Sequence, residues 1–152
     1  MTSKKHNIEI LKSTLLPIIS DETASLSILR DVYGDVGSVF LEYQGQSLTR
    51  TGLMAKWFNV CPTALSSRRQ AHSDLFLKLG CMREESQGLR GLLLKSYKSH
   101  TVVWGMNPRA VVCLLLNLSS DFNNLLGLLL DVELPPAISL GLLEDMLEQN
   151  TQ

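Results

Sequence analysis

The chain has 152 residues, 45% of them hydrophobic and 19% charged, with 14 Lys and Arg against 15 Asp and Glu for a net charge of −1. That is enough apolar material for a compact core and too much for a disordered chain. Three widely spaced cysteines (Cys61, Cys81, Cys113) form no C-x-x-C pair, which argues against a disulfide framework or zinc site and for a reducing, cytoplasmic setting.

At the N-terminus, MTSKKHNIEILKS has no apolar run followed by a cleavage site, so no secretory signal is expected. Ile8, Leu11, Leu15, Ile18 and Ile19 recur at helical spacing, and Pro17 limits how far that helix runs undistorted. A second helix, capped by Ser20 or Asp21, carries Leu26, Leu29 and Val32 and stops at Gly34. The apolar run Val39-Phe40-Leu41, with Tyr43, reads as a third helix before Gly45. Ser47 is the expected N-cap of a helix reaching about Phe58. Asn59 tolerates the left-handed conformation of a tight stop. Pro62 suits the first position of the next helix, where its missing N–H costs nothing. Leu75, Phe76, Leu77 and Leu79 follow, ended by Gly80. Leu92 and Leu94 alternate, then Val102 and Trp104, around the polar KSYKSH at 95–100. That is the pattern of a small β-hairpin.

The C-terminal part is helical again. Asn107-Pro108 supplies a cap and a first-turn proline for AVVCLLLNL. Ser120 or Asp121 starts the next helix, and Pro135-Pro136 opens the last. On that last helix Ile138, Leu142, Leu143, Met146 and Leu147 form an apolar stripe. The apolar region from Ala110 to Val132 is interrupted by Asn117, Ser119, Ser120, Asp121, Asn123 and Asn124. A membrane span needs about 20 mostly apolar residues, so buried helices and no membrane partner are expected. LLGLL at Leu125–Leu129 has the L-x-x-L-L shape of a helix-in-groove ligand. In so leucine-rich a segment it reads as core packing.

Charge is segregated along the chain. Residues 1–46 hold 4 basic against 6 acidic side chains, residues 47–109 hold 10 against 3, and residues 110–152 hold none against 6. The middle block therefore invites a polyanion, which the C-terminal block would repel.

Within that block, Met54-Ala55-Lys56-Trp57-Phe58-Asn59-Val60-Cys61-Pro62-Thr63-Ala64-Leu65-Ser66-Ser67-Arg68-Arg69 resembles the helix-turn-helix of bacterial and phage DNA-binding proteins. Ala55 lets two helices approach, Asn59 replaces the usual turn glycine, Val60 plugs the corner, and Met54, Phe58 and Leu65 fill the core. Two positions depart from the pattern. Cys61 stands where a capping serine is usual. Arg68 falls on an apolar position, so either its stem snorkels outward or the helix phase is shifted by one. The resemblance implies that the helix from Pro62 to about Ala71 enters the major groove. Thr63, Ser66, Ser67 and Gln70 would then face base edges. Arg50, Lys56, Arg68 and Arg69 would sit on phosphates, joined by Lys95 and Lys98, with His100, on a wing. Trp57 and Trp104 read as core aromatics.

Enzymatic constellations are thin. His72-Ser73-Asp74 are sequence neighbours that point apart and cannot form a relay. His6, His72 and His100 lack metal-ligand spacing, and no Gly-rich phosphate loop is present. The expectation is a mainly α-helical, non-enzymatic protein without cofactor or metal, in three segments: N-terminal helices at 1–46, a winged helix-turn-helix at 47–106 and a leucine-rich region at 107–152. Its expected function is sequence-specific binding of double-stranded DNA as a homodimeric transcriptional regulator, paired through the stripe from Ile138 to Leu147. The alternatives are a protein-interaction adaptor and a nucleoprotein assembly factor.

Overall fold

A computed structural model describes residues 4–84 and 103–150. Among the described residues the chain is mainly helical, with eight helices and two small antiparallel strand pairs. It divides into two compact units: a terminal unit of residues 1–34 and 112–152, and a central unit of residues 35–111. Residues 4–34 and 112–150 thus share one unit, which differs from the three consecutive segments expected from the sequence.

The terminal unit is a helical cluster. Helix α1 (Lys4–Ile19) packs on α2 (Glu22–Tyr33), which Asp21 caps by accepting the Ala24 N–H at 3.0 Å. Pro17 lies inside the last turn of α1, and Gly34 closes α2 at φ 83°. The next helix, α6 (Pro108–Leu118), begins in the central unit and supplies the run Val112–Leu116, every residue of it buried, to the terminal core. Asn107 caps it as expected, its Oδ1 accepting the Ala110 N–H at 3.0 Å.

Helix α7 (Ser120–Leu130) packs on α2, with the Tyr33 and Phe122 rings stacked 5.9 Å apart. It starts at Ser120, as expected, and Ser119 caps it, the hydroxyl accepting the Phe122 N–H at 3.1 Å. No single helix among the described residues is long and apolar enough to cross a membrane, and α6 and α7 are bent 107° apart.

The last helix, α8 (Leu140–Asn150), starts four residues later than Pro136 would place it, with the Ser139 hydroxyl accepting from Leu142. Residues 135–139 are not helical because Ile138 is held elsewhere: its N–H donates to Leu116 and its carbonyl accepts from Asn117.

The central unit opens with a pair of strands. Leu41–Tyr43 (β1) and Gln46–Leu48 (β2) form an antiparallel hairpin, not a third helix. Gln44 and Gly45 take φ of 50° and 81°, the two positive values a two-residue hairpin turn needs. Leu41 and Tyr43, two residues apart, then share the sheet face that packs on buried Leu48. Ser47 consequently lies in β2, and α3 (Thr51–Phe58) begins four residues later with Arg50 at its N-cap.

Helices α4 (Pro62–Ala71) and α5 (Ser73–Leu79) follow, and Gly80 ends α5 in the left-handed region. Then β3 (Met82–Glu84) pairs antiparallel with β4 (Val103–Gly105). The expected strand near Val102–Trp104 is therefore present, but its partner is β3. Leu92 and Leu94 lie outside the described residues. Just past β4, Met106 exchanges backbone hydrogen bonds with Thr49 at 2.8 and 2.9 Å, tying the strand pair to the chain that enters α3.

Candidate nucleic-acid interface

Helices α3 and α4 pack together across the turn Asn59-Val60-Cys61. Asn59 is left-handed at φ 55°, and the Val60 N–H donates to Ala55 at 3.1 Å. Met54, Ala55, Phe58 and Leu65 are buried, as their positions in the pattern require. Pro62 opens α4, where no N–H is needed.

The rotational setting of α4 follows from what it buries. Leu65 is interior, with Arg69 and His72 half-buried on the same side. At about 100° per residue, the opposite face carries Thr63, Ser67 and Gln70, and all three are exposed. Ser66 lies at the edge of that stripe and is half-buried. Three of the four expected base-reading residues thus share one open, uncharged polar face.

The cations separate into two groups. Lys56 and Arg68 are exposed, and Arg50 is half-buried at the N-cap of α3. Arg50 folds back over Gly52: a Cβ there would come within 2.5 Å of its Nη1. Arg69 is turned inward. Its guanidinium lies 5.2 Å from the centre of the Trp104 ring, and Nη1 donates to the Thr51 hydroxyl at 3.2 Å. Its Nε is buried with no acceptor among the described residues, and burial lowers its pKa from the ordinary arginine value. Arg69 therefore ties α4 to α3 and β4, and it is not the open phosphate ligand it was expected to be. The inward position falls at 69 and not 68, so the helix phase is shifted by one from the motif.

Arg83, which the motif does not include, stacks on the same Trp104 at 5.8 Å and is exposed. Only its place in the basic block marks it in the sequence. Trp104 is half-buried with both cations over its ring, whereas Trp57 is 38% exposed beside Lys56 and is no core residue. Lys95, Lys98 and His100 lie outside the described residues.

Cys61 is exposed at the N-cap of α4, and the backbone N–H groups of Ala64 and Thr63 lower its thiol pKa. Cys81 is the opposite case, pushed up to about 12 by burial.

The stripe assigned to dimerisation is mostly interior. Ile138, Leu143 and Met146 are buried within a single chain, and Leu142 and Leu147 are half-buried. They serve the core of the terminal unit, which α1 helps to close: it packs on α8, with Lys12 donating to Gln149 at 2.9 Å. A dimer contact through this stripe would have only the half-buried Leu142 and Leu147 to use.

No protein-family model matches this chain, and neither does any curated protein or solved structure.

Proposed function

We propose that the central unit binds double-stranded DNA as a helix-turn-helix, with α4 as the reading helix of a sequence-specific transcriptional regulator. The observation that carries this reading is the exposed Thr63/Ser67/Gln70 face, set directly opposite buried Leu65. A polar stripe free of carboxylates, on a helix whose other side is locked in the core, is what a base edge in the major groove requires. Charge adds support: the central unit holds ten basic against five acidic side chains. Gln70 donates and accepts together, which suits adenine, while Thr63 and Ser67 make single hydroxyl contacts. Lys56, Arg68 and Arg50 take phosphates and set the register. In the winged form of the reading, Lys95 and Lys98, between β3 and β4, reach the adjoining backbone.

Site selection from a random duplex pool tests this. Gln70→Ala is expected to relax preference at one position by about 1–3 kcal/mol, and Ser67→Ala by less. Both variants should melt like the wild type, because the side chains are exposed. A selected site that stays the same in both variants contradicts α4 as the reading helix.

A further inference from the structure

Helix α7 turns three of its leucines away from the core. Leu125, Leu128 and Leu129 are 47%, 80% and 48% exposed, whereas Phe122, Asn123, Leu126 and Gly127 on the other side are buried. The three exposed residues are the leucines of the L-x-x-L-L pattern, so core packing within Leu125–Leu129 holds for Leu126 and Gly127 and is overturned for Leu125, Leu128 and Leu129.

The helix cannot roll to hide them. Asn123 is buried, its Nδ2 donating at 2.9 Å to the carbonyls of both Leu116 and Pro135. A Cβ at Gly127 would come within 2.7 Å of the Val132 carbonyl oxygen, so that side of the helix is pressed against the chain that follows it. At both ends α7 is fixed as well, by the Ser119 cap and by Asp131 in the left-handed region.

Charge then selects what can cover the stripe. Asp121 lies one turn before Leu125 on the same face, and Asp131 and Glu133 follow Leu129; all three are exposed. No Lys or Arg occurs after Arg109. A second copy of this face would set carboxylates against carboxylates, and an anionic lipid surface would be repelled in the same way. We propose that the α7 face formed by Leu125, Leu128 and Leu129 docks into an apolar groove of another protein whose rim carries lysine or arginine. Anchors at i, i+3 and i+4 on one helix are the arrangement that helix-in-groove recognition uses. The surface lies in the terminal unit and is independent of the DNA reading of the central one.

The test uses the whole chain and a defined probe: a short amphipathic peptide of leucine and lysine, with a leucine–glutamate analogue as control. Titration calorimetry is expected to show binding of the lysine peptide alone. Leu125→Ser with Leu128→Ser should weaken it by about tenfold or more, and Asp121→Asn with Asp131→Asn should weaken it by a smaller factor. Both variants should keep the wild-type helical circular dichroism, and Leu128→Ser alone, at the most exposed position, serves as the milder variant. Lysine-peptide binding that is absent, or indifferent to the leucines, overturns the proposal. So does sedimentation showing a wild-type self-association that Leu128→Ser abolishes, which would make the face a contact between copies. Leucine-dependent binding to vesicles of phosphatidylcholine and phosphatidylglycerol would make it a membrane surface and overturns the proposal too.

Discussion

Asn107 shows how much one side chain can carry. Its Oδ1 caps α6, while its Nδ2 donates at 2.7 Å to the Leu79 carbonyl at the end of α5. A helix C-terminus has carbonyls without intrahelical partners. Here Leu79 also accepts from Arg109, and Gly80 accepts from Gln46. Asn107→Ala removes a cap and one of these donors at a buried position, so it should cost about 1–3 kcal/mol. Urea unfolding checks this through the midpoint; a change below about 0.5 kcal/mol would deny Asn107 that double role. Cys61 offers a reactivity prediction. Its thiol pKa is lowered by the Ala64 and Thr63 N–H groups at the α4 N-terminus, so the nucleophilic thiolate is already populated at lower pH than in an ordinary cysteine. Buried Cys81 and Cys113 should resist alkylation in the folded protein. Iodoacetamide is therefore expected to label Cys61 first, with a rate–pH midpoint below that of an ordinary cysteine thiol, and bound duplex should slow the labelling. Equal labelling of all three cysteines would contradict the structure.

At the scale of elements, α4 is best tested through Arg69. Its cation sits on Trp104, its Nη1 on Thr51, and its Nε has no acceptor among the described residues. Arg69→Met keeps most of the packed stem and removes the desolvated charge, so stability should change by less than about 1.5 kcal/mol. Arg69→Ala loses the packing as well and should destabilise more. Neither should change the salt dependence of DNA binding, whereas Arg68→Ala should flatten its log–log slope by roughly one unit. If Arg69→Met flattens the slope equally, Arg69 does reach phosphate. The turn between α3 and α4 was readable in the sequence because Asn59 and Pro62 act through their own backbone preferences. The β1–β2 hairpin was not: Gln44 is a weaker turn marker than asparagine, and the contiguous Val39-Phe40-Leu41 masks the alternation of Leu41 and Tyr43. The shifted phase of α4 was equally hidden, since an inward arginine is sensible only once Trp104, 35 positions away, is seen against it. The outward leucines of α7 were illegible for a related reason. A leucine run has no polar face to mark orientation, so Asn123 and Gly127 settle it through distant partners.

For the whole molecule, topology redistributes the charge seen along the chain. The central unit carries ten basic and five acidic side chains, and the terminal unit four and ten. A polyanion therefore attracts one unit and repels the other, which favours binding through the central unit alone. Three of the five stripe residues, Ile138, Leu143 and Met146, are spent in the core of the terminal unit, so Leu143→Asp should unfold that unit rather than split a dimer. In the proposed DNA complex, exposed Lys56 and Arg68 hold phosphates beside the α4 face. Fluorescence anisotropy of a labelled duplex, titrated with the full chain across a range of salt, measures this directly. The expected result is affinity that falls steeply with salt, by about 0.9 log unit per phosphate neutralised for each log unit of salt, and a slope about one unit shallower in each of Lys56→Ala and Arg68→Ala. Absence of duplex binding at low salt, or a slope that neither substitution alters, would contradict it.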